Sequence, residues 1–134
     1  MRSASGRRWC RIVLWGLAQQ HQKAYQATPS TVRRVDSLLV AAAGADADEN
    51  NQLLREHSKA ILRSIPNNGH PNGHYMADLI ANQFGTDTLA ATANDPFAFV
   101  RLYNEATRES KGRSVPFSQE AMTYLERLEM QYTE

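Results

Sequence analysis

Gly69-His70-Pro71-Asn72-Gly73-His74-Tyr75-Met76-Ala77-Asp78-Leu79-Ile80-Ala81-Asn82-Gln83-Phe84-Gly85 begins as a turn and reads on as a helix. Proline suits a helix start, where its missing N–H has no intrahelical partner to lose. Met76, Leu79, Ile80 and Phe84 then recur at i, i+3, i+4 and i+8, the spacing of one helical face, and Gly85 falls where a left-handed C-cap is needed. The other side carries His74, Ala77, Asp78 and Ala81, and the two alanines let a neighbouring backbone come close. His74 is therefore expected in a seam between helices.

The same period extends in both directions. Thr28-Pro29-Ser30 opens a helix, capped by Thr28 or Ser30, in which Val32, Val35, Leu38, Leu39 and Ala42 align until Gly44 ends it. Asp46 or Asp48 opens the next, with Leu53, Leu54, Ala60, Ile61 and Ile65 inward, and Pro66 forbids continuation. A short helix over 86–93 follows. Asp95-Pro96 restarts the chain with Asp95 as cap and Phe99, Leu102, Tyr103 and Ala106 as the buried stripe. Pro116-Phe117-Ser118 starts the last helix, with Ser118 as cap, Phe117 stapled onto Met122, and Ala121, Met122, Leu125, Leu128 and Tyr132 on its apolar face. No run alternates with period two and no unit repeats, so the expected fold is all-α: five to seven helices in a compact, bundle-like array.

With 134 residues, 42% hydrophobic and 22% charged, the chain can bury a core of its own. Residues 1–27 read as a basic and apolar helix or a degenerate leader, and 28–134 as the helical domain. Charge is uneven: residues 1–40 hold seven Arg and Lys against Asp36, and the rest hold eight against thirteen acids. Arg2, Arg7, Arg8 and Arg11 face no reading motif or regular stacking aromatics, so nucleic acid is not expected as a partner. Ile12–Ala18 is a short apolar run behind Arg7-Arg8, at the lower limit for a secretory signal and far below a membrane span. The single cysteine, Cys10, forms no internal disulfide and assigns no compartment.

The candidate chemistry is incomplete. His70 and His74 stand at i, i+4, a spacing at which two imidazoles hold a transition metal, yet Pro71 is expected to begin the helix and leave His70 outside it. There is no His-Glu-x-x-His, no cysteine pair and no glycine-rich phosphate loop. Both histidines read more simply as cap or seam residues bonded to backbone, and His21 and His57 as solvent-facing. Cys10 has no paired base that the sequence places beside it. Asp46, Asp48 and Glu49 lack the spacing of a calcium loop and suit a helix N-terminus, where the helix dipole favours negative charge. Glu105 reads as a solvated face. No catalytic residue and no metal ligand is assigned within the chain.

Three blocks, Gly69–Ala77, Asn94–Phe99 with Leu102–Ala106, and Pro116-Phe117-Ser118, resemble the C-terminal region of a bacterial family of predicted zinc-dependent peptidases, over residues 50–132. Those proteins are gluzincin-like, with a His-Glu-x-x-His helix earlier in the chain. The resemblance implies zinc as the family's cofactor and a downstream His or Tyr that stabilises the oxyanion, a contact for which His70, His74 and Tyr75 are the nominees. The departure is plain: the histidine pair and glutamate base are missing, and Trp15 stands where a relative could carry a ligand glutamate before Gly16. The expected function is the helical C-terminal part of a zinc metallopeptidase-like protein, without catalytic activity of its own. Its partners would be a missing N-terminal catalytic portion or a peptide substrate. The alternative is a small helical interaction module that dimerises or binds a partner helix. A second rival, a stand-alone metal protein, needs further ligands beside His70 and His74, among His57, Glu56 and Asp78.

Overall fold

Pro29 decides how the chain enters its folded body. The computed structural model describes residues 4–132, with seven α-helices and no strand among them. The first helix, α1 (Ala4–Gln26), runs almost directly into α2 (Thr28–Ala47), broken only at Ala27, because Pro29 supplies no N–H to extend the ladder of α1. Arg2 lies outside the described residues, as do the side chains of Arg7 and Cys10. Thr28 is not the expected cap. It is fully buried, and its hydroxyl lies 2.9 Å from the Asn72 amide that donates to it.

Gly44 does not stop α2, which continues to Ala47. A helical glycine costs about 1 kcal/mol against alanine, and the surrounding alanines, two of them buried (Ala42 and Ala45), offset it. The helix ends instead on a Schellman arrangement: Asn50 N–H donates to Ala45 O at 2.9 Å and Glu49 N–H to Asp46 O at 3.0 Å, with Glu49 at φ 56°. Asp46, Asp48 and Glu49 therefore close α2 and do not open α3 (Asn51–Ser64). Asn50 caps α3, its side chain accepting from Leu53 N–H at 3.1 Å. No α3 residue is fully buried, so the inward row expected there forms only a half-covered ridge against α2.

Pro66 ends α3 as expected and begins a 3-10 turn (Pro66–Gly69) in which Asn67, Asn68 and Gly69 all take positive φ. Asparagine tolerates that region better than most side chains, and glycine takes it freely. The following helix, α4 (His70–Phe84), starts at His70, one residue ahead of Pro71. It sits at the centre of the molecule, touching α1, α2, the short α5 (Thr86–Ala90) and α6 (Pro96–Glu109). Ile80 is fully buried among Val32, Met76, Tyr103 and Ala106, with Leu79, Phe84, Phe99, Leu102 and Phe117 packed around them. Gly85 has the expected positive φ, but with ψ 162° it lies in an extended region open to glycine and outside the left-handed helical basin. Asp95 caps α6 through Ala98 N–H at 3.0 Å.

The segment before α7 (Gln119–Tyr132) is held by side chains from three helices. Tyr75 and Ser114 hydroxyls are hydrogen bonded at 2.8 Å, and Tyr103 OH donates to Val115 O at 2.7 Å. Asn104 clasps Phe117 on both sides, accepting from its N–H at 2.9 Å and donating to its carbonyl at 3.2 Å. Asp36 of α2 accepts from Ser118 N–H at 2.7 Å, while Ser118 caps α7 through Ala121 N–H. Phe117 packs edge-on against Tyr103. These bonds set α7 down on α2, and the bidentate Arg101–Glu129 pair at 3.0 and 3.1 Å ties it to α6.

Candidate functional site

Residues four apart share a helix face, so α1 presents His21 and Tyr25 as one row and α4 presents His74 and Asp78 as another. Where α1 crosses α4 the two rows interlock. His21 Nε2 lies 3.3 Å from His74 Nδ1, His74 Nε2 lies 3.4 Å from Asp78 Oδ2, and Tyr25 OH donates to the same Oδ2 at 2.7 Å. The Tyr25 ring meets His74 and Tyr75 edge-on, at centroid distances of 5.3 and 5.2 Å. His74 thus occupies the seam expected of it. The partners His21 and Tyr25 were not legible as site residues, although their i, i+4 spacing mirrors that of His74 and Asp78.

The arrangement is a line. The Asp78 carboxylate stands at Nε2 of His74 and His21 at Nδ1, so the ring is addressed on both of its nitrogens. His21 and Asp78 therefore address opposite nitrogens of one ring and share no common point. Among the described residues no group of three or more His, Cys, Asp or Glu is placed to hold a metal ion. A catalytic zinc takes three protein ligands and an open position, and the side chains assembled here do not supply that set. His70 is exposed in the first turn of α4, where its backbone N–H donates to Asn67 O, and its ring makes no hydrogen bond among the described residues. Tyr75 has its hydroxyl on Ser114. Glu105 is exposed, as its amphipathic position implies.

Tyr25 titrates high. Its hydrogen bond to Asp78, then burial and the carboxylate's charge, hold its hydroxyl up at about 12. Burial does the same to Tyr103, and burial with Asp46 to Tyr124. A raised phenol pKa favours the folded state fully below the unfolded value near 10, and that advantage is lost as pH climbs through the folded value. Stability should therefore fall between pH 10 and 12. Urea midpoints for wild type and Tyr25→Phe at pH 9 and 11.5 check this: the drop should be smaller in the variant, and equal drops would show that the seam does not hold the tyrosine proton.

A second concave feature lies on the other side of α4. Between α2, α4 and α6 is a cavity of about 260 Å³ whose wall includes Gly69, Gly73, Met76, Pro96, Phe99 and Phe117. Asn72, also in the wall, is buried; its amide donates to Ala24 O and Thr28 Oγ1, and its Oδ1 has no partner among the described residues. None of the residues nominated for oxyanion contact lines this cavity.

No curated protein and no solved structure matches the chain. A family model does, from the middle of α1 to the loop after α6; it takes in Trp15–Ala18, Gly69–Ala77 and Asn94–Ala106 and stops short of Pro116-Phe117-Ser118. By that match, over residues 13–112, the chain belongs to the family described as "Putative zinc dependent peptidase (DUF5700)".

Proposed function

We propose that this chain is a helical portion of a zinc-peptidase-like protein, without catalytic activity of its own, that forms one wall of a substrate cleft. One observation carries the reading: the blocks Gly69–Ala77 and Asn94–Ala106, by which the chain resembles its family, come together around an apolar cavity and not around a set of metal ligands. A cavity of about 260 Å³ suits one large apolar side chain of a peptide. The metal and its glutamate base would come from a catalytic portion carrying the His-Glu-x-x-His helix, which these 134 residues lack. Of the three nominees for oxyanion contact, His74 and Tyr75 are engaged in holding neighbours, and His70 keeps its ring available at the helix start.

The test is peptide hydrolysis and zinc content of the purified chain after zinc loading, with peptide binding followed in Gly73→Leu. The expected result is background hydrolysis and no stoichiometric zinc. Binding of peptides with a Phe or Leu side chain should weaken about tenfold when leucine fills the cavity. A Cβ at Gly73 meets no described atom within 4 Å, so the backbone there leaves room for a side chain to begin. Stoichiometric zinc with turnover would end the reading. A second reading, a dimerisation or helix-binding module, draws on the groove between α2, α3 and α7, where Leu62 and Tyr132 are exposed.

A further inference from the structure

We propose, independently of the reading above, that α1 docks on an anionic bilayer surface through Arg8, Arg11 and the apolar run from Ile12 to Leu17. In that run Ile12, Val13, Leu14, Trp15 and Leu17 are 54, 55, 64, 66 and 56% exposed. A helix turns about 100° per residue, so six successive positions go all the way round. The helix is apolar on every side here, and α1 reaches the rest of the molecule through its second half, at His21, Ala24 and Tyr25. A folded partner with one flat face would cover one side and leave the others wet. The fluid boundary between headgroups and acyl chains can close around more of such a helix than a flat protein face can.

Charge and length select the kind of membrane contact. The first acid in the chain is Asp36, so α1 carries arginines and Lys23 with no negative side chain among them. Arg8 and Arg11 are exposed beside the apolar run and complement anionic headgroups. Ile12–Ala18 extends only about 10 Å, a third of a hydrocarbon core, and no helix among the described residues is long and apolar enough to cross a membrane. End-on entry would drive the arginines in first. The helix instead lies in the headgroup and acyl boundary, with Trp15 at the depth tryptophan prefers and the arginines and Gln19, Gln20 and Gln22 reaching back to water.

The test is co-sedimentation of the full chain with phosphatidylcholine vesicles, pure or mixed with phosphatidylglycerol, read together with tryptophan emission. Binding to the mixed vesicles with a blue shift is expected, and about thirtyfold weaker partition into pure phosphatidylcholine, at roughly fivefold for each arginine. Arg8→Gln with Arg11→Gln should weaken that preference at least about fivefold, and Leu14→Glu, an exposed position, should abolish binding. Equal partition into both vesicles, or none into either, overturns the proposal. So does a concentration-dependent dimer lost in Leu14→Glu, which would assign the surface to a second copy of the chain.

Discussion

Replacing Asn104 with leucine lowers the stability of the protein by about 2–4 kcal/mol, while Glu105→Ala one position on changes it by less than about 0.5 kcal/mol. Asn104 is 4% exposed, and its amide pairs with both backbone polar groups of Phe117, at 2.9 and 3.2 Å. Leucine has nearly the same shape and neither function, so a backbone N–H and a carbonyl beside the core lose their partners together. Each orphan costs roughly 1–3 kcal/mol when water cannot reach it. For a chain of this size the loss corresponds to a fall in Tm on the order of 10 °C. Asn104→Asp keeps the acceptor, loses the donor and should fall between the two. Thermal unfolding of the three variants measures the series, and equal midpoints for Asn104→Leu and Glu105→Ala would mean that the clasp on Phe117 contributes nothing.

That contrast bears on what a family block is for. Tyr103-Asn104-Glu105 reads in sequence as a stripe residue followed by two polar ones, with the carboxylate the natural object of chemical interest. In the fold Glu105 faces water while Tyr103 and Asn104 bind the backbone of residues 115 and 117. Part of what makes this chain resemble its family is thus a device for turning the chain into α7.

Helices with a strong period and an explicit stop were legible from the sequence: α4 from Met76 to Phe84, α6 from the Asp95 cap, α7 from Ser118, and the end of α3 at Pro66. Each rests on interactions within a few residues. The end of α2 was not legible, because Gly44 and the acids after it are ambiguous locally. The outcome depends on Ala45 being buried at 3% exposure and on Glu49 accepting a positive φ. The seam was half legible. Small residues on α4 announced a close neighbour for His74, but the pairing with His21 and Tyr25 spans 53 residues and depends on the angle at which α1 leaves α2. Asp36 and Ser118 are 82 residues apart, and nothing near either one marks the other.

Ile80→Ala should destabilise the protein by about 2–5 kcal/mol, and His74→Ala, six residues earlier on the same helix, by no more than about 1 kcal/mol. Ile80 has no exposed surface and is enclosed by Val32 of α2, Met76 of its own helix, and Tyr103 and Ala106 of α6. Truncation removes three carbons from a point where α2, α4 and α6 meet. The wall on the α6 side is a tyrosine whose hydroxyl is tied to Val115, so it cannot move in to fill the gap. The hole stays, which puts the cost toward the upper part of the range. His74 is the opposite case: its side chain is 57% exposed, its partners His21 and Asp78 are reached by water, and both keep solvent as an alternative when the imidazole is removed. Denaturant titration of the two variants decides between two accounts of α4. If Ile80→Ala is the costlier, the helix is fixed by its buried face and the polar row toward α1 is free to serve recognition. If His74→Ala costs as much, the row of Tyr25, Asp78, His74 and His21 is itself what attaches α1, and these residues belong to the architecture.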